Sequence, residues 1–128
     1  MAIYKTKMFK NSAKKIRLSD FELFNAAMDV FAGRYEADLG GGVIKKRLPR
    51  QGKGKSGGIR TVIFYKQGRH LFFADAWLKS HLKSKSTKEI EDDLLESYKD
   101  IAKALLQADD AQINMMLKAN LLMEVNCE

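Results

Sequence analysis

Between Leu39 and Lys66 the chain carries seven of its nine glycines and its one proline, and the residues between these breaks are mostly β-branched, aromatic or basic. That pattern rules out a helix there. Glycine and proline inside a helix cost about 1 and 3 kcal/mol each, whereas Val43 to Leu48 and Ile59 to Lys66 have the composition of strands. Gly40-Gly41-Gly42 opens the first of these strands and Pro49 closes it. Arg50 to Gly58 reads as a flexible basic loop, and Gln67-Gly68 turns the second strand into a third, Arg69 to Trp77, forming a hairpin.

Helical periodicity flanks this region. Ser19-Asp20-Phe21-Glu22 is a capping box, followed by Phe21, Phe24, Ala27, Met28 and Phe31 at helical spacing until Gly33 stops the helix. Ser86-Thr87-Lys88-Glu89 offers a second box. After it, Ile90, Leu94, Tyr98, Ile101 and Leu105 form one apolar stripe, with Leu95, Ala102 and Leu106 beside it. Asp109 and Gln112 begin a short helix bearing Ile113, Met116 and Leu117, and Leu121 to Val125 is strand-like. At the other end, Ile3 to Phe9 reads as a strand or as the lead into a helix around Phe9, Ala13 and Ile16. Helices, antiparallel strands and helices in that order predict an α+β layer arrangement, and 128 residues suit a single domain, 1–128.

Charge is distributed unevenly. Residues 1–38 carry seven basic and five acidic side chains, residues 39–88 thirteen basic and one acidic (Asp75), and residues 89–128 three basic and ten acidic. A net +12 over the central block makes a field that polyanions feel, so nucleic acid is the first partner to expect and an anionic membrane surface the second. No apolar run reaches transmembrane length, and MAIYKTKMFK lacks the apolar core of a signal peptide. The lone Cys127 has no disulfide partner, so a reducing cytoplasm is the expected compartment.

Several chemistries find no pattern here. Gly54-Lys55-Ser56 looks like the end of a P-loop, but that motif needs a glycine where Pro49 stands and a helix where a strand is expected. His70, His81 and Cys127 lack metal-ligand spacing, and Asp92-Asp93 and Asp109-Asp110 suit first helical turns, where acids favour the dipole. A nucleophile-elbow motif is also missing. RNA cleavage needs none of these, because the ribose 2′-hydroxyl attacks the adjacent phosphate. The protein need only move two protons and stabilise charge on phosphorus-bound oxygens. Crowded lysines can move protons, since positive neighbours lower each other's pKa, and arginines act as fixed clamps. Lys45, Arg47, Lys55, Arg60 and Lys79 suit these roles. A solvated basic face that binds nucleic acid without chemistry is the alternative on composition alone.

Two motifs carry a resemblance. The run Leu39-Gly40-Gly41-Gly42-Val43-Ile44-Lys45-Lys46-Arg47-Leu48, followed by Gly52-Lys53-Gly54-Lys55-Ser56-Gly57-Gly58-Ile59-Arg60-Thr61, resembles the signature of a branch of the RelE/ParE superfamily of bacterial toxin-antitoxin toxins. The likeness continues upstream through Leu23, Ala27, Gly33 and Asp38. Downstream it reaches Phe72-Phe73, Lys79, Ile101-Ala102 and Leu122-Met123-Glu124-Val125. It implies a small twisted antiparallel sheet with helices packed on one face. It also implies a ribosome-dependent endoribonuclease that cuts messenger RNA, without metal or cofactor, and a cognate antitoxin of helix-turn-helix type.

Carried over residue by residue, the resemblance makes Arg60 the clamp on the scissile phosphate. Lys45 and Arg47, which share a strand face with Val43, bind or activate it. Lys79 and His81 complete the expected catalytic set, with Lys46, Arg50, Lys53, Lys55 and Lys83 as RNA-binding residues. The family's Gly-Phe-Ala-Lys run is here Ala76-Trp77-Leu78-Lys79, and its Glu-Arg pair is replaced by His81-Leu82-Lys83 and the additional residues Ser84 to Lys88. His81 is therefore a general acid or base, or a loop histidine with no task. Trp77 and Phe73 either stack a base or pack in the core, and Tyr98 reads as core. The rival function is that of a ParE-like gyrase inhibitor, and a third is a non-catalytic member that only binds RNA or its antitoxin.

Overall fold

The computed structural model describes residues 2–50, 54–78 and 90–126. Its elements are β1 (Ile3–Thr6), α1 (Lys7–Ser12), α2 (Asp20–Phe31), β2 (Ala37–Asp38), β3 (Val43–Arg50), β4 (Gly54–Phe64), β5 (Leu71–Leu78), α3 (Asp92–Gln107), α4 (Asp110–Lys118) and β6 (Leu122–Glu124). The strands form one sheet in the order β2-β3-β4-β5-β1-β6. The α+β arrangement is the expected one, and two details differ. β1 runs parallel to β5, so the sheet is mixed, and helices lie against both of its faces rather than one.

The second difference has its cause in β5. Leu71-Phe72-Phe73-Ala74 is an unbroken apolar run, fully buried, and a strand apolar on both sides needs cover on both. On one face α1 and α2 bring Phe9, Leu23, Ala27 and Val30 against Ile44, Ile63 and Phe73. On the other, α3 and α4 bring Tyr98, Ala102, Leu106 and Ile113 against Val43, Phe64 and Phe72.

Helix starts follow the sequence closely where a capping box is present. Ser19 with Glu22 caps α2, and Asp109 with Gln112 caps α4. The ambiguous N-terminal stretch is both things in turn, a strand and then a helix that Thr6 caps through its hydroxyl. α3 instead begins at Asp92 behind Glu91, with no side-chain cap; the Ser86 to Glu89 box lies outside the described residues.

The buried stripes are also rotated from expectation. α2 buries Leu23, Ala26, Ala27 and Val30, leaving Phe21 60% and Met28 39% exposed. α3 buries Tyr98, Ala102, Leu105 and Leu106 and exposes Leu94 and Ile101.

The basic loop is shorter than the glycines suggest. β3 continues to Arg50, β4 starts at Gly54, and Arg50 faces Gly54 across the ladder. Pro49 sits where the register shifts between Leu48 and Arg50, which is where a residue without an N–H is tolerated. At the opposite end of β3, Gly40, Gly41 and Gly42 all adopt positive φ, and a Cβ on Gly42 would lie 2.5 Å from Leu106 Cδ1. That turn therefore requires glycine for space as well as conformation.

Candidate nucleic-acid interface

Register decides which side chains share a face. Arg47 on β3 lies opposite Arg60 on β4, which lies opposite Trp77 on β5. One step along, Lys45 lies opposite Val62, which lies opposite Asp75. Directly opposed residues project from the same side of a sheet with Cβ atoms about 5 Å apart. Both rows lie on the α3 side, since Val62 belongs to the core that α3 covers. Lys45, Arg47, Arg60, Asp75 and Trp77 thus form one surface, continuous with the apolar cover over Val43 and Phe64.

A bulge in β5 makes this possible. Ile63 faces Phe73 while Val62 faces Asp75, so Ala74 is an extra residue in the strand. Without it Phe73 and Trp77 would share a face. With it Phe73 is fully buried in the α1/α2 core, while Trp77 turns to the Arg60 side and packs half-buried against the α3/α4 core. Trp77 Nε1 is buried and finds no acceptor among the described residues.

The bulge also turns Asp75, the only acid of the basic block, toward α3. There Tyr98 donates its hydroxyl to Asp75 Oδ2 at 2.5 Å, and Asp75 Oδ1 accepts from the Ala76 N–H. Burial, and then this contact, push the Tyr98 hydroxyl far above the ordinary tyrosine pKa, so it remains a donor.

The two opposed arginines differ in setting. Arg47 is exposed, and its backbone N–H donates to Glu36 Oε1 at 2.7 Å, fixing the strand at that point. Arg60 is only 4% exposed and sits within β4 rather than at its start, because the strand extends back to Gly54. A guanidinium remains charged when buried, so this one is a fixed cation with little freedom to swing. Lys45 is half-buried beside them.

Other expected residues fall elsewhere. Lys46 projects to the α2 side, 8% exposed, with its Nζ 3.5 Å from Asp29 Oδ2. Arg34 also binds Asp29, and chiefly that hydrogen bond, with help from Lys46, holds the Asp29 carboxyl below its usual range. Lys46 is thus separated from the Arg47/Arg60 row by the thickness of the sheet. Arg50 and Lys55 lie along the β3 and β4 backbones at their far ends. Lys53, Lys79, His81 and Lys83 lie outside the described residues. Strand alternation found Lys45 and Arg47, but it gave no hint of Asp75. The signal for Asp75 was its being one acid among thirteen bases.

Among the described residues no group of three His, Cys, Asp or Glu side chains is placed to hold a metal ion, and no helix is long and apolar enough to cross a membrane. Fold and surface together define an α+β protein with cations from two adjacent strands, β3 and β4, on one face of its sheet, flanked by Asp75 and Trp77 of β5. Residues 1–125 match the family described as the RelE toxin of the RelE/RelB toxin-antitoxin system, and the chain belongs to that family. It is thus the toxin type of a toxin-antitoxin pair, whose partner is an antitoxin. Comparison with curated protein sequences found no match.

Proposed function

We propose that this toxin is a ribosome-dependent messenger RNA endoribonuclease. The observation that carries the reading is the opposition of Arg47 and Arg60. Arginines on directly opposed ladder positions have Cβ atoms about 5 Å apart, close enough for both guanidinium groups to bind one phosphate. Arg60, fixed by burial, clamps the scissile phosphate, and Arg47 approaches it from the exposed side. Together they stabilise charge on the phosphorus-bound oxygens as the 2′-hydroxyl attacks and the 5′-oxygen departs. Lys45 adds a third cation to the same face. Lys79 and His81, following Trp77 closely in the chain, are the candidates for proton transfer.

The ParE-like alternative acts by binding a protein, and toxins of that kind tend to lack a basic cluster such as Lys45, Arg47 and Arg60 form. Inducing the gene and mapping messenger RNA 5′ ends separates the two. Cuts within codons of translated messages are expected; intact messages accompanied by DNA damage would establish the gyrase reading instead.

A further inference from the structure

On the α2 side of the sheet, away from Arg47 and Arg60, a cavity of about 730 Å³ opens between the C-terminal end of α2 and the Gly40–Gly42 turn. Its walls include three aromatic rings, Phe31, Tyr35 and Tyr65, of which Phe31 and Tyr65 meet edge to face with centroids 5.2 Å apart. Asp38 lines it as well. Asp38 Oδ1 accepts from the Gly40 N–H at 2.9 Å, which leaves Oδ2 available among the described residues. Ala32 and Gly33, at the end of α2, bring the negative pole of the helix to the same wall. Among the described residues lining the cavity the one cation is Lys66, whose stem runs past Gly42 on the α3 side, where Lys99 Nζ would also lie 3.7 Å from a Cβ on Gly40.

Aromatic faces, a carboxylate and a helix C-terminus all favour positive charge. A phosphate would meet the opposite of what it needs. We infer that this cavity binds the guanidinium or ammonium group of a cationic side chain presented by a partner polypeptide.

The polypeptide source follows from what adjoins the cavity. Phe21, Phe24, Met28 and Phe31 form a second stripe along α2, outside the buried one, with Phe21 and Met28 exposed. This stripe ends in the cavity, since Phe31 belongs to both. A free small cation has no use for such a strip, whereas a peptide with apolar residues preceding an arginine covers strip and cavity together. The volume is also far more than one guanidinium fills and lies within the range of ordinary ligand pockets.

The test is a ¹H–¹⁵N NMR titration of the full chain with acetyl-Leu-Leu-Arg-amide, its citrulline counterpart and spermidine. The arginine peptide is expected to shift the Gly33, Gly40–Gly42 and Tyr65 amides saturably, with about tenfold tighter binding than the isosteric uncharged citrulline peptide. Asp38→Asn retains an acceptor for the Gly40 N–H and removes the charge. It should weaken the arginine peptide several-fold and leave the citrulline peptide unchanged. Equal binding of the two peptides, or shifts confined to other residues, overturns the inference. Spermidine binding as tightly as the arginine peptide would assign the cavity to a free polyamine and overturn the polypeptide source. None of these readouts involves RNA cleavage, so the outcome is independent of the nuclease reading.

Discussion

The Tyr98 hydroxyl donates to Asp75 Oδ2 at 2.5 Å, and this single bond ties α3 to the strand that supplies Trp77 to the cationic row. A hydrogen bond to a charged group contributes about 1.5–3 kcal/mol, and the loss of one partner leaves the other to be desolvated for nothing. Tyr98→Phe should therefore lower unfolding stability by an amount in that range, read by urea denaturation. In an Asp75→Asn background the same change should cost less; additive losses would show that the two groups do not act as a pair.

The same hydroxyl sets an alkaline limit. Its folded pKa is raised above the unfolded value of 10.0, by burial first and by Asp75 second, so the stabilisation is complete below pH 10 and declines as pH rises beyond it. Tyr4 is shifted in the same direction, by its own burial and then by Glu124. Denaturation midpoints measured from neutrality upward should fall above about pH 10. Tyr98→Phe should reduce that fall without removing it.

At the acid end Asp29 takes over. Its folded pKa is below the unfolded 3.8, mainly through the Arg34 hydrogen bond, so its contribution is present above that value and is lost as pH falls through the folded one. Asp29→Asn should therefore flatten the acid side of the stability profile. An unchanged profile below about pH 4 would show that Arg34 and Lys46 do not hold the carboxylate in solution.

Gly42→Ala tests the turn that begins β3. The position has φ +82°, and the new methyl would lie 2.5 Å from Leu106 Cδ1. Strain and overpacking together should cost about 2–4 kcal/mol. Thermal unfolding measures the loss, and Gly68→Ala is the control, since its φ is also +82° but nothing lies within 4 Å. A smaller loss at Gly42 than at Gly68 would contradict the close packing of α3 on the turn.

Arg60→Ala should abolish toxicity while the protein still unfolds cooperatively, and Arg60→Lys should rescue it poorly because lysine lacks the bidentate fork. Arg47→Ala should weaken binding to a short RNA and reduce the slope of log K against log salt by about one phosphate contact. Full toxicity of a stably folded Arg60→Ala protein would remove Arg60 from the proposed site.

How much of this was legible in the sequence depended on the kind of signal. Capping boxes at Ser19 and Asp109 fixed helix starts because the cap is local chemistry, complete within four residues. Alternation in Val43 to Leu48 separated Lys45 and Arg47 from Ile44 and Leu48 for the same reason. What stayed hidden depended on distant partners. The apolar run Leu71 to Ala74 has no period, so nothing in it marks Ala74 as the extra residue that turns Trp77 and Asp75. Phe21 and Met28 fit a helical stripe as well as Leu23 and Ala26 do, and only the sheet packed beneath α2 decides which set it buries. Lys46 reads as one of three consecutive bases until α2 brings Asp29 to it.

The position of β1 has a kinetic consequence. β2 to β5 pair as neighbours in the chain, and such contacts close short loops quickly. β1 instead pairs Ile3 with Leu71 on one side and Tyr4 with Glu124 on the other, so β6 joins the sheet only through a strand from the far end of the sequence. Folding should therefore proceed in two stages. The meander that carries Lys45, Arg47 and Arg60 can assemble early, with the edge of β5 open until β1 pairs along it and β6 in turn pairs along β1.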